Sequence, residues 1–70
     1  MKYEVSCVLP NGTKFVWGKI EKNEEGQYLA SYGSPHKMAY ETLAAAIASY
    51  DMPELLQEGE IIGFSVNLID

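Results

Sequence analysis

The stretch VLPNGTKFVWGKIE, Val8 to Glu21, decides how the first half of the chain folds. At its centre, Asn11-Gly12 lies between two runs of strand-forming residues. A type I′ turn needs positive φ at both central positions, which asparagine and glycine tolerate. Residues 2–9 alternate between apolar and polar side chains, as is typical of a half-buried strand. The sequence therefore predicts a β-hairpin with a two-residue loop.

A two-residue loop fixes which side chains of the two strands lie opposite each other. One face would carry the pairs Tyr3–Ile20, Val5–Gly18, Cys7–Val16 and Leu9–Lys14. The other face would carry two opposite-charge pairs, Glu4–Lys19 and Lys2–Glu21, which support this register. Trp17 would lie on this second face. With Val8 and Phe15 it would form an exposed apolar patch suited to intermolecular contact.

The second turn is predicted at NEEG, Asn23 to Gly26, because a type I turn prefers asparagine first and glycine last. A third strand should follow over residues 27–32. A three-residue loop would direct Tyr28, Ala30 and Tyr32 toward the core, whereas a four-residue loop would direct Leu29 inward instead. We adopt the first alternative.

The next segment is predicted to be helical. Ser34-Pro35 has the pattern of an N-cap followed by proline at the first helical position. Over residues 36–50 a stripe of side chains recurs at spacings of three and four and would cover the sheet. Its members are Ala39, Tyr40, Leu43, Ala46, Ile47 and Tyr50. Asp51, with Glu54 three residues later, predicts a capped short helical turn that Gly59 ends.

The last strand is predicted over residues 60–69, where one phase is wholly apolar. That phase contains Ile62, Phe64, Val66 and Leu68, and it should point toward the helix. The opposite phase is partly apolar, so the strand is either central or beside the first strand. Together the elements predict one α+β domain, residues 1–70. Its antiparallel sheet has the order β-β-β-α-β, with one main helix and the short helical turn on one face.

The composition indicates a folded chain without covalent or metal cross-links. Apolar residues make up 47% and charged residues 21%, far from the composition of disordered segments. One cysteine, Cys7, and one histidine, His36, cannot form an internal disulfide or a common metal motif. We predict no cofactor. No apolar run suits a signal peptide or a membrane span, which predicts a soluble, cytoplasmic protein.

The charge is unevenly distributed along the chain. Residues 1–37 contain five lysines and four glutamates, whereas residues 38–70 contain six acidic residues and no basic one. Arginine, the residue best suited to bind phosphate and guanine, is absent. Direct binding of nucleic acid or of a membrane is therefore disfavoured. A candidate docking surface for a basic partner consists of Glu41, Asp51, Glu54, Glu58 and Glu60.

No catalytic pattern emerges from the sequence. Cys7 lies in the inward phase of a strand, and the dispersed glycines form no phosphate-binding loop. We predict a non-enzymatic module that binds another protein, or itself as a homodimer. It would act as an inhibitor or adaptor, for example a phage-type anti-defence decoy on a basic nucleic-acid-binding protein. The alternative is a small-molecule or nucleotide binder, with a homodimer pocket lined by Trp17, Tyr28 and Tyr32.

Overall fold

The computed structural model of the protein describes residues 1–32 and 35–69. Within these ranges the elements are β1 (Lys2–Val8), β2 (Lys14–Lys22), β3 (Tyr28–Ser31), β4 (Lys37–Tyr40), α1 (Leu43–Ala48), α2 (Met52–Gln57) and β5 (Gly63–Leu68). All neighbouring strands are antiparallel, in the order β4-β3-β2-β1-β5 across the sheet. The α+β class and the antiparallel sheet are confirmed. The predicted order along the chain is incomplete, because a fourth strand precedes the helices.

The turn between β1 and β2 has a three-residue loop, so the predicted type I′ turn is wrong. The Leu9 N–H donates to the Thr13 carbonyl and the Gly12 N–H to the Leu9 carbonyl, both at 2.8 Å. Gly12 has a φ of 89°, which makes this a type I turn closed by a left-handed glycine. A two-residue loop would pair Pro10 with Thr13, and one of the two hydrogen bonds of that pair would be missing because proline has no N–H to donate to the Thr13 carbonyl.

The register of the β1–β2 hairpin changes once along its length. Near the turn the pairs are Val8–Lys14, Cys7–Phe15 and Ser6–Val16; beyond it they are Val5–Gly18, Glu4–Lys19, Tyr3–Ile20 and Lys2–Glu21. Trp17 is the extra residue of a β-bulge at the change. The bulge cancels the shift introduced by the longer loop. The predicted pairing is therefore confirmed for the second group and wrong for the first.

The β2–β3 turn has the three-residue loop that we adopted. The Asn23 N–H donates to the Gln27 carbonyl at 3.0 Å, and the Gly26 N–H donates to the Asn23 carbonyl at 3.2 Å. Gly26 has a φ of 83°, as the last position of this loop requires. As predicted, Ala30 is buried and Tyr28 packs against the core.

The predicted helix over residues 36–50 is wrong in its first half. Lys37–Tyr40 form β4, which pairs with β3 at one edge of the sheet. The helix α1 begins only after Thr42, whose hydroxyl oxygen accepts the Ala45 N–H at 3.1 Å. This N-cap supplies the start signal. The segment before it alternates in a way that suits a strand as well as a helix. The predicted cap Ser34 lies outside the described residues.

The second helix occupies the predicted place, with a different start. Asp51 precedes α2 with a φ of 56° and makes no side-chain capping bond, so the predicted carboxylate cap is wrong. At the other end the Gly59 N–H donates to the Leu56 carbonyl at 3.1 Å, and the Glu60 N–H to the Leu55 carbonyl at 3.0 Å. These bonds form a Schellman motif, which confirms that Gly59 ends the helix.

The core lies between one face of the sheet and the two helices. Its buried side chains are Val5, Cys7, Ile20, Ala30, Ala46, Tyr50, Met52 and Ile61. The helix α1 packs on β3 and β4, toward one side of the sheet. At the opposite edge β5 pairs with β1, which decides between the two positions that the sequence left open.

Candidate functional site

Val8, Phe15 and Trp17 do not form the single outward patch that the sequence predicts. Val8 lies on the outer face, away from the helices, whereas Phe15 pairs with the buried Cys7 and shares the helix side. Trp17 is half-buried against the core, and its ring centroid lies 5.7 Å from that of Phe15. The outward orientation of Trp17 is therefore wrong. The prediction failed because the three-residue loop and the bulge shift this part of β2 by one residue relative to β1.

Large exposed apolar side chains lie instead on and beside β5. The exposed fractions are 60% for Ile62, 39% for Phe64, 58% for Leu68 and 48% for Ile69. Phe64 and Leu68 lie on the predicted helix side, opposite Cys7 and Tyr3 of β1. They remain exposed because α1 packs over β3 and β4, near the opposite edge of the same face of the sheet. We call Ile62, Phe64, Val66, Leu68 and Ile69 the β5 surface.

The outer edge of β5 carries unpaired main-chain groups in the part of the chain that the structure describes. The Ile69 N–H donates to the Lys2 carbonyl at 2.9 Å. Bonded and non-bonded pairs alternate in an antiparallel ladder, so the next bonds to β1 come from Asn67 and Ser65. The residues whose N–H and C=O groups point away from β1 are Phe64, Val66 and Leu68.

The sequence of β5, GFSVNL, contains no charged residue and no proline. Edge strands are usually protected from pairing by lysine, proline or a bulge. At Gly63 an added Cβ would have no neighbour within 4 Å, so the first residue of the strand also leaves open space. Both the main chain and the side chains of β5 therefore suit the addition of another strand. The sequence predicts the apolar phase of β5 and leaves two positions open for the strand, of which the structure shows the one beside β1.

The five acidic residues of the predicted docking surface are all exposed: Glu41, Asp51, Glu54, Glu58 and Glu60. They are spread from the residue before Thr42 to the segment after α2. In the described ranges the ion pair joins Lys37 to Glu21 at 3.6 Å, so these acids do not take part in it. No three His, Cys, Asp or Glu side chains among the described residues are placed to hold a metal ion.

Tyr50 follows α1 and packs in the core, as its place in the predicted stripe requires, and it makes two hydrogen bonds to strands that the sequence did not predict. Its hydroxyl donates toward the carbonyls of Ser31, at 2.7 Å, and Lys19, at 3.1 Å. A Cβ at Gly18 would lie 2.7 Å from Cε1 of Tyr50 and would clash with the Ser31 carbonyl oxygen. Glycine at this position therefore lets the Tyr50 ring lie against β2. The signal was a glycine inside a strand, which often marks such close approach.

A second tyrosine extends this contact at the surface. The Tyr32 hydroxyl donates to the Ser49 hydroxyl at 2.6 Å and lies 3.3 Å from the Tyr40 hydroxyl. Burial raises the pKa of Tyr50 to about 12 and also raises the pKa of Tyr32, whereas the hydrogen bond with Tyr32 lowers the pKa of Tyr40. The neutral, donating form of Tyr50 is thus favoured. The contacts of Tyr32, Tyr40, Ser49 and Tyr50 stabilise the part of the sheet formed by β3 and β4.

Two other residues singled out in the sequence lie in or against the core. The Cys7 side chain is buried, and this burial raises the pKa of its thiol, which is the environment of a structural thiol. Tyr28, predicted to line a small-molecule pocket, packs against the core with the Lys22 ammonium 5.6 Å from its ring centroid. The described residues form no pocket.

None of the helices in the described ranges combines the length and apolarity needed to cross a bilayer. Comparison of the chain with protein-family models, with curated proteins and with solved structures gave no match.

Proposed function

We propose that this chain is a protein-binding module whose partner adds a strand to the open edge of β5. One observation carries the proposal: an uncharged edge strand combines unpaired main-chain groups with exposed apolar side chains. Strand addition uses both features, because main-chain hydrogen bonds supply affinity and alternate side chains supply specificity. The alternate side chains would be Phe64, Val66 and Leu68.

The helix side of β5 gives the added strand an apolar surface to cover. Phe64 and Phe15 flank the buried Cys7 on either side, so aromatic side chains continue from β5 across β1 to β2. Aromatic side chains are favoured anchors of protein interfaces. Phe15 lies two strands in from the edge, on the opposite face from the one that the sequence predicts.

The acidic residues have a different role in this proposal. Glu54 and Glu58 lie one helical turn apart at α2, both exposed. Charges outside the contact accelerate association with a partner of opposite charge and contribute little affinity. A basic partner would therefore be attracted by the acidic side chains at α2 and held at β5. An inhibitor or adaptor would work in this way, including a phage-type decoy for a basic nucleic-acid-binding protein.

Pull-down from an extract of the producing cells tests the proposal with a matched pair of variants. Leu68→Lys places a charge on β5, whereas Met38→Lys places the same charge on β4, at residues 58% and 48% exposed respectively. We expect the Leu68→Lys bait to lose the proteins that the unmodified chain retains, and the Met38→Lys bait to keep them. The same protein set on all three baits would refute the β5 edge as the binding site.

A further inference from the structure

We propose that the strand added to β5 is β5 of a second copy, antiparallel to the first, with the two-fold axis at Val66. This inference rests on the proposed function, since a second copy would use the same edge and would compete there with a basic partner. The pairing would join two five-stranded sheets into one continuous sheet. The reason lies in the order of residues along β5, which complements itself when the strand is reversed.

The helix-side residues of β5 match themselves in this register. Phe64 would lie opposite Leu68 of the second copy, and Val66 opposite Val66. Phe64 and Leu68 are 39% and 58% exposed in the single chain, so each would gain an apolar neighbour. Apolar pairs of this kind stabilise antiparallel strands. No other residue of β5 would be forced against a charge, because the strand has none.

The outer-face residues match as well. Ser65 would lie opposite Asn67 of the second copy, which pairs two hydrogen-bonding side chains. Ile69, which is 48% exposed, would lie opposite Gly63 of the second copy. Gly63 has open space around it, so the isoleucine side chain has room. A register centred on Ser65 or Asn67 would lose this match between the largest and the smallest outer-face residues.

The main-chain groups select the same register. Phe64, Val66 and Leu68 are the residues that direct their N–H and C=O groups outward, as the bond from Ile69 to Lys2 requires. With the axis at Val66, each of these residues lies opposite another of the same set. Every outward group of the strand would then have a partner, since each such pair exchanges two N–H···O bonds.

The first test measures molar mass by light scattering over a dilution series. We expect the unmodified chain to move from one copy to two as its concentration rises. Leu68→Lys should weaken the dimer by about tenfold or more, because a lysine would lie opposite each Phe64. Met38→Lys, the same change on β4, should alter the dissociation constant by less than about twofold. Thermal melts of both variants confirm that they remain folded.

The second test probes the register with cysteines in chains that are otherwise unmodified. Ser65 and Asn67 of the two copies would form a non-hydrogen-bonded pair, with Cα atoms about 4.5 Å apart, within disulfide range. A mixture of Ser65→Cys and Asn67→Cys chains should therefore cross-link on oxidation. Each chain alone should cross-link far less, because identical residues would lie about 7–8 Å apart on the diagonal.

The outcomes separate this inference from the proposed function. A single copy at every concentration overturns self-pairing, while loss of partners from the Leu68→Lys bait would still support strand addition by a different protein. A dimer that Met38→Lys weakens as much as Leu68→Lys overturns the β5 contact. Equal cross-linking in the mixture and in the separate chains overturns the register centred on Val66.

Discussion

The two edge strands of this sheet, β4 and β5, differ in their protection against pairing with a further strand. The β4 edge carries Lys37, which pairs with Glu21 across the outer face, and it follows Pro35. The helix α1 packs over this side of the sheet. The strand β5 contains no charged residue and no proline, and Leu68 on it is 58% exposed. Among the described residues, no helix packs on β5 as α1 packs on β3 and β4. Because lysine and proline are common protections of edge strands, the difference identifies β5 as the edge that remains available for pairing.

The largest expected effect concerns two glycines, Gly18 within β2 and Gly63 at the start of β5. Gly18→Ala should destabilise the fold by about 3 kcal/mol, because its Cβ would meet the Ser31 carbonyl and the Tyr50 ring. Gly63→Ala should change stability by less than about 0.5 kcal/mol, because that position is open. Urea unfolding at a concentration where the chain is a single copy measures both. Equal losses of stability would mean that the chain is packed no more tightly around Gly18 than around Gly63.

Removing the hydroxyl of Tyr50 should have a smaller effect on the stability of the fold. Tyr50→Phe should cost about 1–2 kcal/mol, because the carbonyls of Ser31 and Lys19 lose a donor. Tyr28→Phe is the matched control, since the Tyr28 ring packs against the core as part of the same sheet and its hydroxyl has no partner among the described residues. It should cost less than about 0.5 kcal/mol. An equal loss in both variants would contradict the role assigned to the Tyr50 hydroxyl.

The same hydroxyl predicts a dependence on alkaline pH. The pKa of Tyr50 is raised to about 12 in the folded chain, against about 10 when unfolded. The folded state therefore holds this proton more tightly. Its contribution to stability is complete below pH 10 and is lost as the pH rises toward 12. Urea midpoints between pH 8 and 11 should fall more steeply for the unmodified chain than for Tyr50→Phe. Parallel curves would contradict this.

The smallest expected effect concerns salt and the β5 edge. Each chain has a net charge of −5, so two copies repel each other, although β5 itself is uncharged. Salt screens this repulsion. Raising the salt concentration from about 50 to 500 mM should strengthen the dimer by about threefold. A dimer that weakens with salt would indicate a contact held by ion pairs, which the β5 pairing does not contain.

The sequence predicts those features of the fold that local chemistry determines. The Asn23–Gly26 turn, the Gly59 helix end and the inward phase of β1 follow from residues close together in the chain. The predicted hairpin register failed near the first turn because the loop has three residues instead of two. Pro10 cannot close a two-residue loop, and the bulge at Trp17 then restores the pairing further along. Alternation alone does not reveal a bulge.

The candidate site was predictable only in part for a similar reason. The apolar phase of Phe64, Val66 and Leu68 is visible in the sequence, but their exposure depends on where α1 lies. The segment Lys37–Tyr40 fits a helical stripe as well as a strand, and Thr42 decides where the helix starts. A longer helix would have covered more of the sheet. Pairing of β4 with β3 instead places α1 on one side and leaves β5 open.

Amide hydrogen exchange, followed residue by residue by NMR at low and high protein concentration, tests the open edge most directly. The amides of Phe64, Val66 and Leu68 should exchange rapidly in dilute solution and slow down together as concentration rises. Those of Ser65 and Asn67, bonded to β1, should be slow throughout, and those of β4 should not respond to concentration. Exchange at the three outward amides that is slow in dilute solution, or that does not change with concentration, would contradict an edge open to a second copy.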